Sequence, residues 1–222
     1  RAAGDKPATV TLDKTGTDIF HIETLEPLLA GRVRCLCLVR NPFEVVASNL
    51  DLARKLGAWL PELHARMAGA NGEHLALARV WAERQAALDA FAARHPGICL
   101  SLRYEDLLAD APAVLGRVLD FLGVRGDPGA LIAAAFSGEA RIGLGDFRIE
   151  GTRGLRPSEP NGWRKRLPHA AAARMLPLLA PMMERHGYGV PKLPPAPDAE
   201  AARRQYEMAV RLKRRADRPE GG

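Results

Sequence analysis

An arginine closes an apolar run and a serine follows eight residues later: Leu38-Val39-Arg40-Asn41-Pro42-Phe43, then Ser48. A guanidinium offers bidentate hydrogen bonds to a phosphate, and a hydroxyl adds one more. The pairing is chemistry for holding an anion. Where a strand's carboxyl end opens onto a helix, the free N–H groups and the dipole of the helix N-terminus favour the same anion. Doubly wound α/β sheets take their ligands at this position. A surface arginine on a strand-helix unit is the other reading of Arg40 taken alone.

The elements that must position this pair can be read from periodicity. Residues 34–39 form a short, mostly buried strand, Asn41-Pro42 the break, and residues 43–56 a helix. A long helix over 73–94 places Leu77, Val80, Trp81, Leu88 and Phe91 on one stripe. His95-Pro96-Gly97 ends it, and residues 98–103 form a second strand with Tyr104-Glu105-Asp106-Leu107 at its carboxyl end. Strand, helix and strand at this spacing make a βαβ unit with a parallel sheet.

Other expected elements are a strand over 8–12, a helix over 23–30, a helical or looped insertion over 60–72, and helices over 111–122 and 128–136. A helical stretch runs from Trp163 to Tyr188. Residues 138–162, rich in Gly, Arg and Pro, form a long loop of the functional or disordered kind. Beyond Pro191 a Pro-rich linker leads to a charged helix, 199–216, without a strong apolar face. The division expected is a domain over 1–190 and a tail over 191–222.

Composition bounds the rest. The 222 residues suffice for one α/β domain with a hydrophobic core. The net charge of +6 points to an anionic partner, although arginines crowd into 203–218. Aromatics make up 5% of the residues and do not interleave with the basic ones, which argues against nucleic acid. Cys35, Cys37 and Cys99 fall in the expected strands without metal-ligand spacing, as small core hydrophobes of a reducing compartment. No apolar run approaches the ~20 residues that span a bilayer. These features predict a soluble, cytoplasmic chain. Its first residue, Arg1, leads us to expect that an N-terminal portion precedes it.

Taken in order, Leu38-Val39-Arg40-Asn41-Pro42 with Ser48, Arg103-Tyr104-Glu105-Asp106-Leu107, Phe121-Leu122-Gly123, Gly162-Trp163-Arg164 and His186-Gly187-Tyr188 resemble the sulfotransferases that use 3′-phosphoadenylylsulfate (PAPS). The resemblance spans Lys14 to Tyr188. It implies a three-layer domain like that of the P-loop NTPases, a parallel sheet flanked by helices and here truncated at its N-terminus. It also implies sulfuryl transfer from PAPS, without a metal, to a hydroxyl or amine of a small-molecule or glycan acceptor. Arg40 and Ser48 correspond to the residues that hold the 3′-phosphate. Tyr104 corresponds to the tyrosine beside the adenine; its other reading is an aromatic closing the strand end. Arg156 sits seven residues before Trp163, as does the family's late-loop arginine, but Pro157-Ser158 replaces the Lys-Gly that follows there. Trp163 is expected to be a packing anchor, Arg164 and Lys165 a solvated face, and Glu105 and Asp106 caps for the next turn.

Lys14-Thr15-Gly16-Thr17 admits two readings. It looks like the family's phosphosulfate loop, but it lies too close to Arg40 along the chain. The favoured reading is the Lys-Thr pair of the substrate-side strand, with Lys14 neutralising charge on the transferring group and the phosphosulfate loop absent from this chain. No histidine follows the pair where some members place their base; His21 is the nearest, and a structural role fits it better. Two other classes compete. One is a non-catalytic binding module that kept this fold. The other is a P-loop kinase relative, disfavoured because no Gly-x-x-x-x-Gly-Lys-Ser/Thr run is present.

Overall fold

Two short strands organise the chain in the computed structural model, which describes residues 11–29, 33–67, 72–137, 154–155, 159, 161–195 and 198–216. β1 (Cys35–Val39) and β2 (Cys99–Arg103) pair in parallel, with Cys35 opposite Cys99 and Val39 opposite Arg103. Around them run α1 (Ile22–Leu29), α2 (Pro42–Leu56), α3 (Pro61–Met67), α4 (Glu73–Arg94), α5 (Tyr104–Ala109), α6 (Ala111–Leu122), α7 (Pro128–Phe136), α8 (His169–Arg185) and α9 (Ala199–Ala216). The class is α/β.

Local chemistry sets the helix ends. The Asn41 side chain accepts a hydrogen bond from the Phe43 amide at 3.0 Å, and Pro42 supplies the first helical φ of α2. Gly57, at φ +69°, closes that helix in the left-handed region. Asp110 caps α6 through the Ala113 amide, and Asp127 caps α7 through Gly129 and Ala130. α8 continues through Pro177 and Pro181. They stand four residues apart on its exposed side, where water solvates the carbonyls that lose their partners, while Ala172, Met175, Leu179 and Met183 are buried.

α4 is the central support. It packs against α2, α8, α3, α1 and both strands. The core gathers Val39, Phe43, Val46 and Leu50 with Leu77 and Val80 of α4 and Met175, Leu179 and Met183 of α8. Glu26 of α1 is tied to the end of α4 by Arg94 and His95, each at 2.7 Å. These bonds, Arg94's first, hold its carboxyl down at about 2. On β1, Cys37 and Val39 are buried while Leu36 and Leu38 stay 36% and 48% exposed, so the strand alternates between a covered and an open face.

Several expectations shift. Residues 8–10 of the first expected strand lie outside the described residues, and Thr11 and Leu12 are irregular. Trp163 does not begin the long helix. A separate 3-10 turn, Gly162–Lys165, precedes Pro168 and α8. The insertion over 60–72 is helical at Pro61–Met67. Only Cys37 of the three thiols is buried; burial, with Cys99 and Cys35 nearby, pushes it up to about 12. In α9, Met208 and Leu212 fall one turn apart on the same exposed side, a narrow apolar strip that the dense charge of the segment obscures.

Candidate functional site

Parallel register brings the two strand ends together. Because Val39 faces Arg103, the residues that follow them, Arg40 and Tyr104, become neighbours. The Arg40 guanidinium lies over the Tyr104 ring, 4.4 Å from its centroid. Its Nε is buried without a hydrogen-bond partner, and no carboxylate pairs with Arg40 among the described residues. A half-buried guanidinium with a buried, unpartnered Nε at a helix N-terminus has the chemistry of an anion site. Ser48 is half-buried on α2, one helical turn beyond Glu44 and on the same side.

That side of α2 receives the turn around Trp163. Glu44, only 7% exposed, accepts the Trp163 backbone N–H at 2.7 Å and pairs with Arg166. Arg166 also reaches Asp51 at 3.3 Å. The indole stacks on Phe43, ring centroids 4.5 Å apart and planes inclined by 22°. Trp163 is therefore the anchor its sequence position suggests, whereas Arg164 and Lys165 are exposed. Arg156 lies outside the described residues.

Glu105, expected to cap the next turn, is a distant tie instead: α5 has no side-chain cap and α6 is capped by Asp110. It stands in the first turn of α5 and its carboxylate accepts the Asn41 amide at 3.0 Å and the Tyr188 hydroxyl at 2.7 Å. One side chain thus links the start of α2, the end of β2 and the segment after α8. The other strand-end arginine, Arg103, stacks on Tyr188 at 4.4 Å. Burial, reinforced by the Glu105 carboxylate, raises the Tyr188 hydroxyl well above its ordinary value of 10. Holding Tyr188 neutral contributes stability that is whole below pH 10 and is lost as the pH climbs through the higher folded-state value. Tyr188→Phe is expected to cost about 2 kcal/mol at neutral pH and to flatten the alkaline fall of the urea midpoint expected of the parent. An equally steep fall in both proteins would contradict this.

Lys14 is exposed in the irregular segment ahead of the 3-10 turn Asp18–Phe20, which packs on α4. It is not on a strand, and no contact joins it to Arg40 among the described residues. The structure thus brings Arg40 and Tyr104 together, places Ser48 on the helix they open onto, and leaves Lys14 apart. His21 is exposed and its backbone carbonyl accepts the amides of Thr24 and Leu25, a structural role at the start of α1. The sequence reading did not assign roles to Glu44, Arg166 or Tyr188; a glutamate in the first turn of a helix otherwise buried by Phe43, Val46 and Ala47 is the one signal that pointed there. Among the described residues, no group of three His, Cys, Asp or Glu is placed to hold a metal ion, and no helix is long and apolar enough to cross a membrane.

A search of curated proteins finds no match. Among solved structures, a sulfotransferase domain from the curacin biosynthetic pathway superposes with a TM-score of 0.54 at 21% identity, over 81% of this chain and 62% of that one. The likeness shows the fold, and the chain spans less than two thirds of that domain. A family model described as the sulfotransferase family matches residues 2–128, more than half of the sequence and including β1, Arg40, Ser48, β2 and Tyr104. By that match, the chain belongs to the sulfotransferase family.

Proposed function

We propose that the chain takes PAPS as donor and passes its sulfuryl group to a hydroxyl or amine of a small-molecule or glycan acceptor. The observation that carries this reading is Arg40: a guanidinium with a buried, unpartnered Nε, stacked on Tyr104 at the mouth of α2. Arg40 and Ser48 hold the 3′-phosphate, Tyr104 lies beside the adenine, and Arg156 closes over the phosphate. Lys14, which forms no ion pair among the described residues, supplies positive charge toward the sulfuryl end. Transfer of this kind relies on in-line positioning, cations on the moving and leaving oxygens, and a base for the acceptor proton.

A second reading has one observation in its favour. Glu105, the carboxylate bonded beside Arg40, is committed to Asn41 and Tyr188 and is not available as a base. This would suit a module that binds the nucleotide without turning it over.

Calorimetric titration tests the donor assignment. Adenosine 3′,5′-bisphosphate is expected to bind at least about tenfold more tightly than AMP, since the 3′-phosphate adds charge-assisted hydrogen bonds. Equal affinities would overturn it. Radiolabelled sulfuryl transfer with an acceptor panel then separates the enzyme from the binding module.

A further inference from the structure

A cavity of about 230 Å³ opens beside the carboxyl ends of β1 and β2, where Val39 and Arg103 pair, and is walled by α6 and the end of α8. It is distinct from the Arg40 site: neither Arg40, Ser48 nor Tyr104 lines it. Arg103 from β2, Arg117 from α6 and Arg185 and His186 from the end of α8 contribute its polar wall, together with the exposed hydroxyl residue Ser101. Asp106 is the sole carboxylate residue in the lining, and it is 52% exposed.

The charges are only partly neutralised. Arg103 has a buried Nε without a hydrogen bond, and its nearest carboxylate oxygen, on Asp106, is 4.0 Å away. Arg117 forms no ion pair among the described residues. Arg185 and His186 share one acid behind the wall, Asp89, at 3.7 and 3.0 Å. Gly187, at φ +69°, turns the chain from α8 toward Tyr188 in the left-handed region that favours glycine. Three guanidiniums gathered on one cavity repel one another, and a multivalent anion is the ligand that turns this repulsion into attraction. The volume is several times the ~30 Å³ share of a water molecule, so an oxyanion fits with room for a substituent.

We infer that this cavity is a second anion site, one that takes a phosphate or sulfate group, free or at the end of a larger molecule. Arg103 is its fixed donor, held by the Tyr188 stack, and Arg117 and Arg185 close on the anion from the two helices.

The experiment is an NMR titration of arginine Nε–H signals in the Arg40→Ala protein, which removes the first site from the readout. Signals are assigned from Arg103→Lys and Arg117→Lys spectra, and inorganic phosphate, inorganic sulfate and phenyl phosphate are added separately at constant ionic strength. Saturable shifts of the Arg103 and Arg117 signals are expected, with binding about tenfold weaker in the Arg117→Ala, Arg185→Ala double variant. Both replaced arginines are exposed, so the variant folds, and Arg79→Ala, an exposed arginine outside the cavity, binds as the parent does. Tighter binding of phenyl phosphate assigns the site to an ester, and equal or weaker binding to the free ion. Shifts that never saturate, or a double variant that binds as tightly as the parent, would overturn the inference.

Discussion

Arg40→Ala is expected to weaken adenosine 3′,5′-bisphosphate about hundredfold, close to 3 kcal/mol, while AMP binding changes little. The selectivity of the effect is what identifies the role. Arg40 has no acidic partner among the described residues, so its removal leaves no carboxylate stranded. Among the described residues its guanidinium stacks on Tyr104, a contact worth about 1 kcal/mol at a partly exposed site. The melting midpoint should therefore fall only slightly while the preference for the 3′-phosphate disappears. Arg40→Lys keeps the charge but loses the planar fork and most of the stack, and should fall between parent and alanine. Titration calorimetry with both nucleotides measures all of this. If AMP weakens as much as the bisphosphate, Arg40 serves the nucleotide as a whole or the fold, and the 3′-phosphate assignment fails.

The Arg40 site was legible in the sequence because every signal for it is local. An apolar run, an Asn-Pro break and a helix fix where Arg40 sits, and a second strand ending in Arg103-Tyr104 fixes its neighbour once the sheet is parallel. The bounds of α6 follow likewise from Asp110 and Gly123 at its ends, and α4, α7 and α9 span the residues expected of them. The ties that hold the site together were not legible. Glu44 meets the Trp163 turn across 119 residues, and Glu105 meets Tyr188 across 83. Periodicity reports which face of an element is buried, not which distant residue it meets. Glu105 also carries two signals at once, since an acid at a helix start suits a capping role as well as a distant tie. Lys14 shows the opposite limit: a short motif suggested a strand, and the residues around it form none.

Trp163→Ala is expected to cost about 3–5 kcal/mol, a third or more of the stability of a domain of this size. The indole is 2% exposed, and its stack on Phe43 adds about 1 kcal/mol beyond the area it buries. The loss should not stop at stability. The backbone N–H of residue 163 still reaches Glu44 in the variant, but without the ring the turn is held chiefly by that bond and by Arg166. Glu44 cannot relax away from the turn, because it is buried and Arg166 is its counter-charge. The turn therefore stays near α2 yet loses its fixed pose beside the α2 face that carries Ser48. Nucleotide affinity should fall as well, by less than in Arg40→Ala, and Trp163→Phe should recover most of both losses. Urea unfolding supplies the check: the midpoint should drop with little change in slope. A loss below about 1 kcal/mol would mean that the stack does not anchor the turn, and that Glu44 and Arg166 hold it without the ring.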